Sequence, residues 1–120
     1  MATAESRGRI LVDSDIVIDH LRGARALPSF PLACSVITRC ELFAGQDEAH
    51  VLRRVLAKIY QIEVNPAIAE RGGKLKRDLK LQTPDALIAA TALEHELPLM
   101  TRNQRHFGRV ADLDLRIPQS

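Results

Sequence analysis

Four polar side chains stand where a small protein could build a reactive centre: Asp13, Glu41, Asp85 and Asn103. Carboxylates brought together repel one another unless a cation neutralises them. Hard oxygen ligands of this kind suit Mg²⁺ or Mn²⁺, and a water bound to such a metal can attack a phosphodiester. We therefore expect a metal-dependent hydrolytic site if the fold brings these residues together.

Each of the four also has a purely structural interpretation when taken alone. Asp13 is suited to cap a helix after a strand, and Glu41 to complete a capping box. Asp85 suits the first turn of a helix, where its charge opposes the helix dipole. Asn103 is a common turn residue. The catalytic interpretation depends on the set as a whole.

Elements predicted to position these residues alternate along the chain. Short apolar or β-branched runs predict strands, and apolar residues at helical spacing predict helices. The predicted strands are 9–13, 32–36, 60–64, 98–101 and, less strongly marked, 113–117. The predicted helices are 15–21, 38–45, 48–59, 66–79 and 83–96. Such alternation is typical of an α/β fold with a central parallel sheet of four to five strands covered on both faces.

Helix ends are signalled by a few residues. Thr38 predicts an N-cap with Glu41 as its capping-box partner, and Thr83 predicts an N-cap followed by Pro84 in the first turn. Gly72-Gly73 weakens the helix expected around it. In a parallel sheet the ligand site lies beyond the carboxyl ends of the strands, which is where all four candidate residues fall.

Composition limits the partners. Hydrophobic residues make up 46% of 120 residues, enough for one core, so we expect a flexible tail at 1–8 and a single domain at 9–118. Aromatics make up only 3%, which disfavours binding of nucleic acid by base stacking, and the net charge of +2 gives no protein-wide attraction for it.

Two cysteines, Cys34 and Cys40, form no disulfide framework or zinc motif. No membrane span or signal peptide is apparent, so we expect a cytoplasmic protein.

The four segments together resemble the motifs of PIN-domain proteins, and more narrowly of the VapC toxins of bacterial toxin–antitoxin pairs. The run from Ile10 to Asp15 resembles the first motif, and Thr38 to Gly45 resembles the second. The segment Asp85-Ala86-Leu87-Ile88-Ala89-Ala90-Thr91-Ala92 resembles the third and is the most specific. Leu99 to Asn103 with His106-Phe107 resembles the fourth.

This resemblance implies a PIN-like three-layer α/β/α sandwich. It implies that Asp13, Glu41 and Asp85 hold Mg²⁺ or Mn²⁺ and that the protein is an endoribonuclease whose cleavage leaves a 5′-phosphate and a 3′-hydroxyl. It also implies an RNA substrate, a VapB-type antitoxin that covers the active site, a homodimer, and inhibition of translation.

One departure from the family pattern concerns the fourth position. Many members carry Asp where this chain has Asn103, which can ligate through its carbonyl oxygen but adds no charge. A second metal is therefore in question, while the first is not. Asp15 and Asp112 are further acids, and Arg102 and Arg105 flank Asn103 as candidate contacts for RNA phosphates or antitoxin acids.

Two other functions fit parts of the pattern. Asp13-Ser14-Asp15 also resembles the first motif of haloacid-dehalogenase-type phosphatases, in which the first Asp is a covalent nucleophile. That mechanism leaves Glu41 and Asp85 without roles. A non-catalytic PIN-like or receiver-like binding module is the second alternative, although no Lys follows the fifth predicted strand as a receiver requires.

Overall fold

A computed structural model describes residues 2–119 and gives these residues five strands and six helices. In chain order the elements are β1 Ile10–Val12, α1 Ser14–Leu21, β2 Leu32–Ser35, α2 Val36–Phe43, α3 Ala49–Leu56, β3 Tyr60–Ile62, α4 Pro66–Leu79, α5 Thr83–His95, β4 Leu99–Met100, α6 Gln104–Phe107 and β5 Leu115–Arg116. The predicted α/β class with a parallel sheet is confirmed.

All five strands are parallel and lie in the order β3-β2-β1-β4-β5. The first strand is central, because β2 lies on one side of it and β4 on the other. The chain therefore changes direction across the sheet at β1, and such a switch point leaves a crevice beyond the carboxyl ends of the adjacent strands. Asp13 follows β1 and Thr101 follows β4, so both lie at that crevice.

Side chains alternate across the sheet and divide the core into two layers. Leu11 and Ala33 belong to the layer formed with α4 and α5, which includes Ile68 and Ile88. Val12 and its neighbours on β1 and β2 belong to the other layer, which α1, α2 and α3 cover. Both faces are therefore covered by helices, which is the expected three-layer sandwich.

The start of α2 differs from the prediction. The N-cap is Ser35, whose hydroxyl accepts from the Ile37 amide at 3.0 Å. The helix begins before Thr38, which is fully buried, so the predicted capping box between Thr38 and Glu41 is wrong. The physical reason is that β2 ends at Ser35 and α2 begins at Val36, so the last residue of the strand is itself the N-cap. Glu41 is thereby left without a capping role.

Two helices on one face pack closely. A methyl group added at Gly72 of α4 would come within 2.9 Å of the Leu87 side chain of α5, whereas Gly73 has open space. The α5 helix is buried around most of its surface, as its apolar sequence predicts, but its N-cap is Gln82 rather than Thr83. The short helix α6 was not predicted, because it has only four residues and little periodicity.

The amino-terminal segment is not a free tail. Ala4 to Gly8 form turns, and Ser6 is completely buried. The Ser6 hydroxyl lies 3.0 Å from Nδ1 of His95 at the end of α5. The predicted flexible tail over 1–8 is therefore replaced by a folded segment, apart from Met1, which lies outside the described residues. No helix in residues 2–119 is long and apolar enough to cross a membrane.

Candidate active site

Asp13 forms the buried floor of the site. It is the N-cap of α1, and its Oδ1 accepts from the Ser14 amide at 2.8 Å. Its Oδ2 accepts from the Thr101 hydroxyl at 2.9 Å. Burial, with the nearby charge of Asp15, raises the pKa of Asp13 from 3.8 to about 6. A carboxylate this strongly desolvated gains much from a neighbouring cation.

Glu41 faces the same point from α2. Burial is the main cause of its raised pKa, the charge of Asp13 comes next, and a hydrogen bond from the Ser14 side chain opposes both. Its Oε1 is buried and has no hydrogen-bond partner among the described residues. A buried carboxylate oxygen without a partner is costly in a protein interior. It is the clearest sign in the structure of a place suited to a cation.

Asp85 lies in the first turn of α5. Its charge contributes to the raised pKa of both Asp13 and Glu41, so the three carboxylates are electrostatic neighbours. Its Oδ2 is 2.9 Å from Nδ1 of His106. The structure thus brings together the three acids named from the sequence.

Asn103 lies one contact further out. Its side-chain amide is 2.7 Å from the same Nδ1 of His106 that contacts Asp85. That nitrogen serves one partner at a time, donating to Asp85 when protonated and accepting from Asn103 when not. Asn103 therefore reaches the acids through His106, which the sequence motif contains but to which no role was given.

Thr101 is the site residue that sequence reasoning missed. It is fully buried, and its hydroxyl lies 2.9 Å from Asp13 Oδ2 and 3.3 Å from Asp15 Oδ2. The same oxygen accepts from the backbone amide of Asn103 at 3.0 Å. A Thr in the fourth motif was the available signal, but its neighbours follow from the pairing of β1 with β4.

Asp15 is a fourth carboxylate at the site. Its Oδ2 accepts from the Arg102 amide at 2.9 Å, while Oδ1 is buried and has no partner within the described residues. Burial raises its pKa. Asp112 is elsewhere, in a left-handed turn, where it lines a cavity with Arg71 and Pro98.

The two candidate arginines have different surroundings. Arg102 forms an ion pair with Asp19 at 2.9 Å, and Asp19 also pairs with Arg25 at 2.8 Å. The Arg102 guanidinium thus holds the loop after β4 against α1. Arg105 is exposed and lines a cavity that includes Asp85 and His106.

The donor set suits a hard divalent cation. Asp13, Glu41 and Asp85 influence one another electrostatically, the pKa values of Asp13 and Glu41 are raised, and Glu41 contributes an unpartnered buried oxygen. No three His, Cys, Asp or Glu side chains in residues 2–119 stand in a ready-made metal cluster. The unpartnered oxygen of Glu41 and the raised pKa values of Asp13 and Glu41 are the features that favour a cation here. The chemistry open to such a site is metal-assisted hydrolysis.

Comparison with known proteins gives a consistent result. Residues 10–113 match the family model described as PIN domain. The chain is 39% identical over 114 residues to Ribonuclease VapC10 of Mycobacterium tuberculosis, covering 82% of this chain and 85% of the relative. It is 34% identical over 119 residues to Ribonuclease VapC19 of the same organism, covering 86% and 95%. A solved toxin–antitoxin complex from Klebsiella pneumoniae aligns with a TM-score of 0.76 at 35% identity, over 92% of this chain and 98% of that chain.

Proposed function

The chain belongs to the PIN-domain family, and we propose from this that it is an endoribonuclease, the toxin of a VapBC-type pair, which uses Mg²⁺ or Mn²⁺. The relatives named as VapC ribonucleases and the similar toxin–antitoxin complex support the activity and the class of partner. The observation that carries the metal dependence is the buried, unpartnered oxygen of Glu41 beside the desolvated carboxyl of Asp13.

Asp13, Glu41 and Asp85 are the residues we expect to hold the metal. Bound there, Mg²⁺ or Mn²⁺ would activate a water and stabilise negative charge on the phosphate oxygens during hydrolysis of the RNA backbone.

The protein's own part is to hold these carboxylates in place. The Ser14 amide and the Thr101 hydroxyl fix both oxygens of Asp13. The Ser14 side chain orients Glu41, and His106 orients Asp85. Hydrogen-bonded partners behind the ligands fix their direction, and ligands on helices and at strand ends are held more rigidly than ligands on loops. Asn103 supports the site through His106, and Arg105 is the arginine available to meet RNA phosphate.

Cleavage of purified total RNA tests this proposal. The wild type, Asp85→Ala and the matched control Asp78→Ala, which removes an exposed acid of α4, are compared with Mg²⁺, with Mn²⁺ and with EDTA. We expect discrete fragments with 5′-phosphate ends from the wild type and the control in either metal. EDTA or Asp85→Ala should abolish them. Folded wild-type protein that cuts no RNA in either metal would refute the proposal.

The remaining partners are also proposed. A toxin that blocks translation acts where ribosomes work, so we propose the cytoplasm as the compartment. A VapB-type antitoxin would cover the acid cluster, and co-expression with purification of the pair tests this. The homodimer implied by the family stays a prediction that light scattering on the purified protein can check. No observation favours the phosphatase, and the RNA assay separates an enzyme from a binding module.

A further inference from the structure

A groove of about 320 Å³ opens beside Asp85, between the end of α4 and the short helix α6. We call it the basic groove, and its polar lining consists of Lys80, Gln82, Asp85, Arg105, His106 and Arg109. Asp85 is therefore shared by the acid cluster and the groove. Anything lying in the groove is adjacent to the proposed metal site.

The cations of the groove differ in whether they are already engaged. Arg109 donates to the Leu79 carbonyl at 2.7 Å and so holds the end of α4. Lys80 follows in a left-handed conformation with φ of 56°, which directs the chain away from the helix axis. Lys80 and Arg105 are exposed, and neither has an ion-pair or side-chain hydrogen-bond partner within residues 2–119. Their charges are available to a ligand, unlike that of Arg102.

An RNA substrate needs such cations at this place. The carboxylates of the site repel an approaching polyanion, and the net charge of +2 provides little general attraction. Lys and Arg side chains bind phosphates and fix the register of a nucleic acid without reading its sequence. Cations directly beside the acids let a strand remain bound while one phosphate lies at the acid cluster.

The lining favours RNA over a protein segment. Protein partners are held mainly by large apolar and aromatic side chains seated in pockets. Leu81 is the one apolar residue that lines the groove, and it is itself 5% exposed. The groove therefore offers charges and hydrogen-bond donors but no apolar seat.

We propose that the basic groove binds the phosphate that neighbours the scissile one in the RNA strand, chiefly through Lys80 and Arg105. This rests on the proposed ribonuclease function and assigns it a substrate subsite. It also assigns the two exposed cations to substrate binding, whereas Arg102 serves the fold.

Binding of a fluorescein-labelled, single-stranded RNA of mixed sequence, measured by anisotropy in EDTA, tests the proposal without cleavage. The test variant is Lys80→Gln with Arg105→Gln, which removes two charges and keeps polar side chains of similar bulk. The control is Arg54→Gln with Lys58→Gln, which removes the same two charges from and just after α3, in the other layer. Circular dichroism confirms that all three proteins are folded.

We expect the test variant to bind about tenfold or more weakly in low salt. We also expect the slope of log affinity against log salt to fall by roughly 0.7 for each phosphate that the variant no longer neutralises. At about 0.15 M salt, where the Debye length is about 8 Å, the control should change affinity by less than about twofold, because charges away from the bound strand are screened. With Mg²⁺, the test variant should show a raised KM and an unchanged kcat.

Equal loss of binding in the control and test variants would overturn the groove, as would wild-type binding that does not depend on salt. If the wild type cleaves RNA and the test variant binds RNA normally, the proposed phosphate binding in the groove is wrong and the proposed ribonuclease function stands. If the wild type cleaves no RNA but the test variant loses RNA binding, the proposed binding in the groove stands and the proposed ribonuclease function is wrong. Polyglutamate is the second probe. If the test variant binds polyglutamate more weakly than the wild type does but binds RNA equally well, the groove would be assigned to an acidic protein segment instead.

Discussion

At the scale of single residues, the site depends on one hydroxyl between two acids. Thr101 has a single proton to donate, and both Asp13 and Asp15 lie within reach of it. The nearer acceptor, Asp13, is also the more deeply buried. The site therefore holds more negative charge than its own donors can satisfy, and this excess is what a cation would relieve.

Asp13→Asn should stabilise the protein in EDTA while abolishing cleavage. The folded-state pKa of Asp13 is about 6, above its ordinary 3.8, so the charged form opposes folding. This group's stabilising contribution is complete below pH 4 and is lost as the pH rises to about 6, a change of roughly 3 kcal/mol. Urea unfolding at pH 4 and pH 7 should show the wild type losing stability across that range and the variant losing less. Equal pH dependence of the two proteins would contradict the assignment.

Thr101→Val should destabilise the fold and weaken cleavage. The change keeps the shape but leaves Oδ2 of Asp13 without its donor, at a cost of about 1 to 3 kcal/mol. Thr91→Val is the matched control, because within residues 2–119 the Thr91 hydroxyl bonds only to the Leu87 carbonyl of its own helix. Urea unfolding should show a larger loss of unfolding free energy for Thr101→Val than for Thr91→Val. Similar losses would mean that the bond from Thr101 to Asp13 adds no more stability than the bond within the helix.

At this scale the type of a residue, together with its place next to a predicted strand or helix, was the signal that singled out the candidate acids. Asp13 follows from a strand end, Asp85 from a helix start, and Glu41 from the helix after the second strand. Thr101, and the engagement of Arg102 with Asp19, depend on contacts between residues that are distant along the chain. No local pattern in the sequence encodes such a pairing.

At the scale of elements, the two central helices of one layer differ in their tolerance of side chains. The α4 helix carries Gly72 and Gly73 in succession, and one faces α5 while the other faces open space. The sequence showed the helix-weakening pair, but only the packing shows which glycine is required.

Gly73→Ala should raise stability by about 1 kcal/mol, because alanine restricts the unfolded chain and favours the helix. Gly72→Ala should gain less or lose stability, since the added methyl would come within 2.9 Å of the Leu87 side chain. Thermal unfolding of the two variants checks the order. Equal gains would mean that Leu87 moves aside at no cost.

Helix starts were the least predictable feature of the elements. Ser35 caps α2 in place of Thr38, since a strand runs directly into the helix. Sequence patterns assume a loop between the two, and here none exists. The same direct connection leaves Glu41 free for the site rather than for a cap.

At the scale of the whole molecule, the alternation of strands and helices was enough to predict the parallel sheet and its two covered faces. It was not enough to predict the strand order, because adding β4 beside β1 requires the chain to cross the sheet. The burial of Ser6 against His95 was likewise hidden, since the two residues are 89 positions apart in the sequence.

Mg²⁺ should raise the melting temperature of the wild type at pH 7, because a ligand that binds only the folded state stabilises it. At a concentration of 100 times Kd, the gain is about 2.7 kcal/mol. Glu41→Gln should lose most of this increase, and Glu70→Gln, an exposed acid on α4, should retain it. Differential scanning fluorimetry with Mg²⁺ and with EDTA makes the comparison, and an equal rise in all three proteins would argue against the site.

The central place of β1 has a consequence for how the protein is made. β1 leaves the ribosome early, whereas Asp85 and the β4 strand that completes its pairing come much later in synthesis. A growing chain has β1, β2 and β3 available but lacks one acid and the Thr101 hydroxyl. We expect ribosome-bound chains that end before α5 to cut no RNA, which arrested translation products can test. The messenger and the ribosome that produce the enzyme would thus be spared until its synthesis is nearly finished.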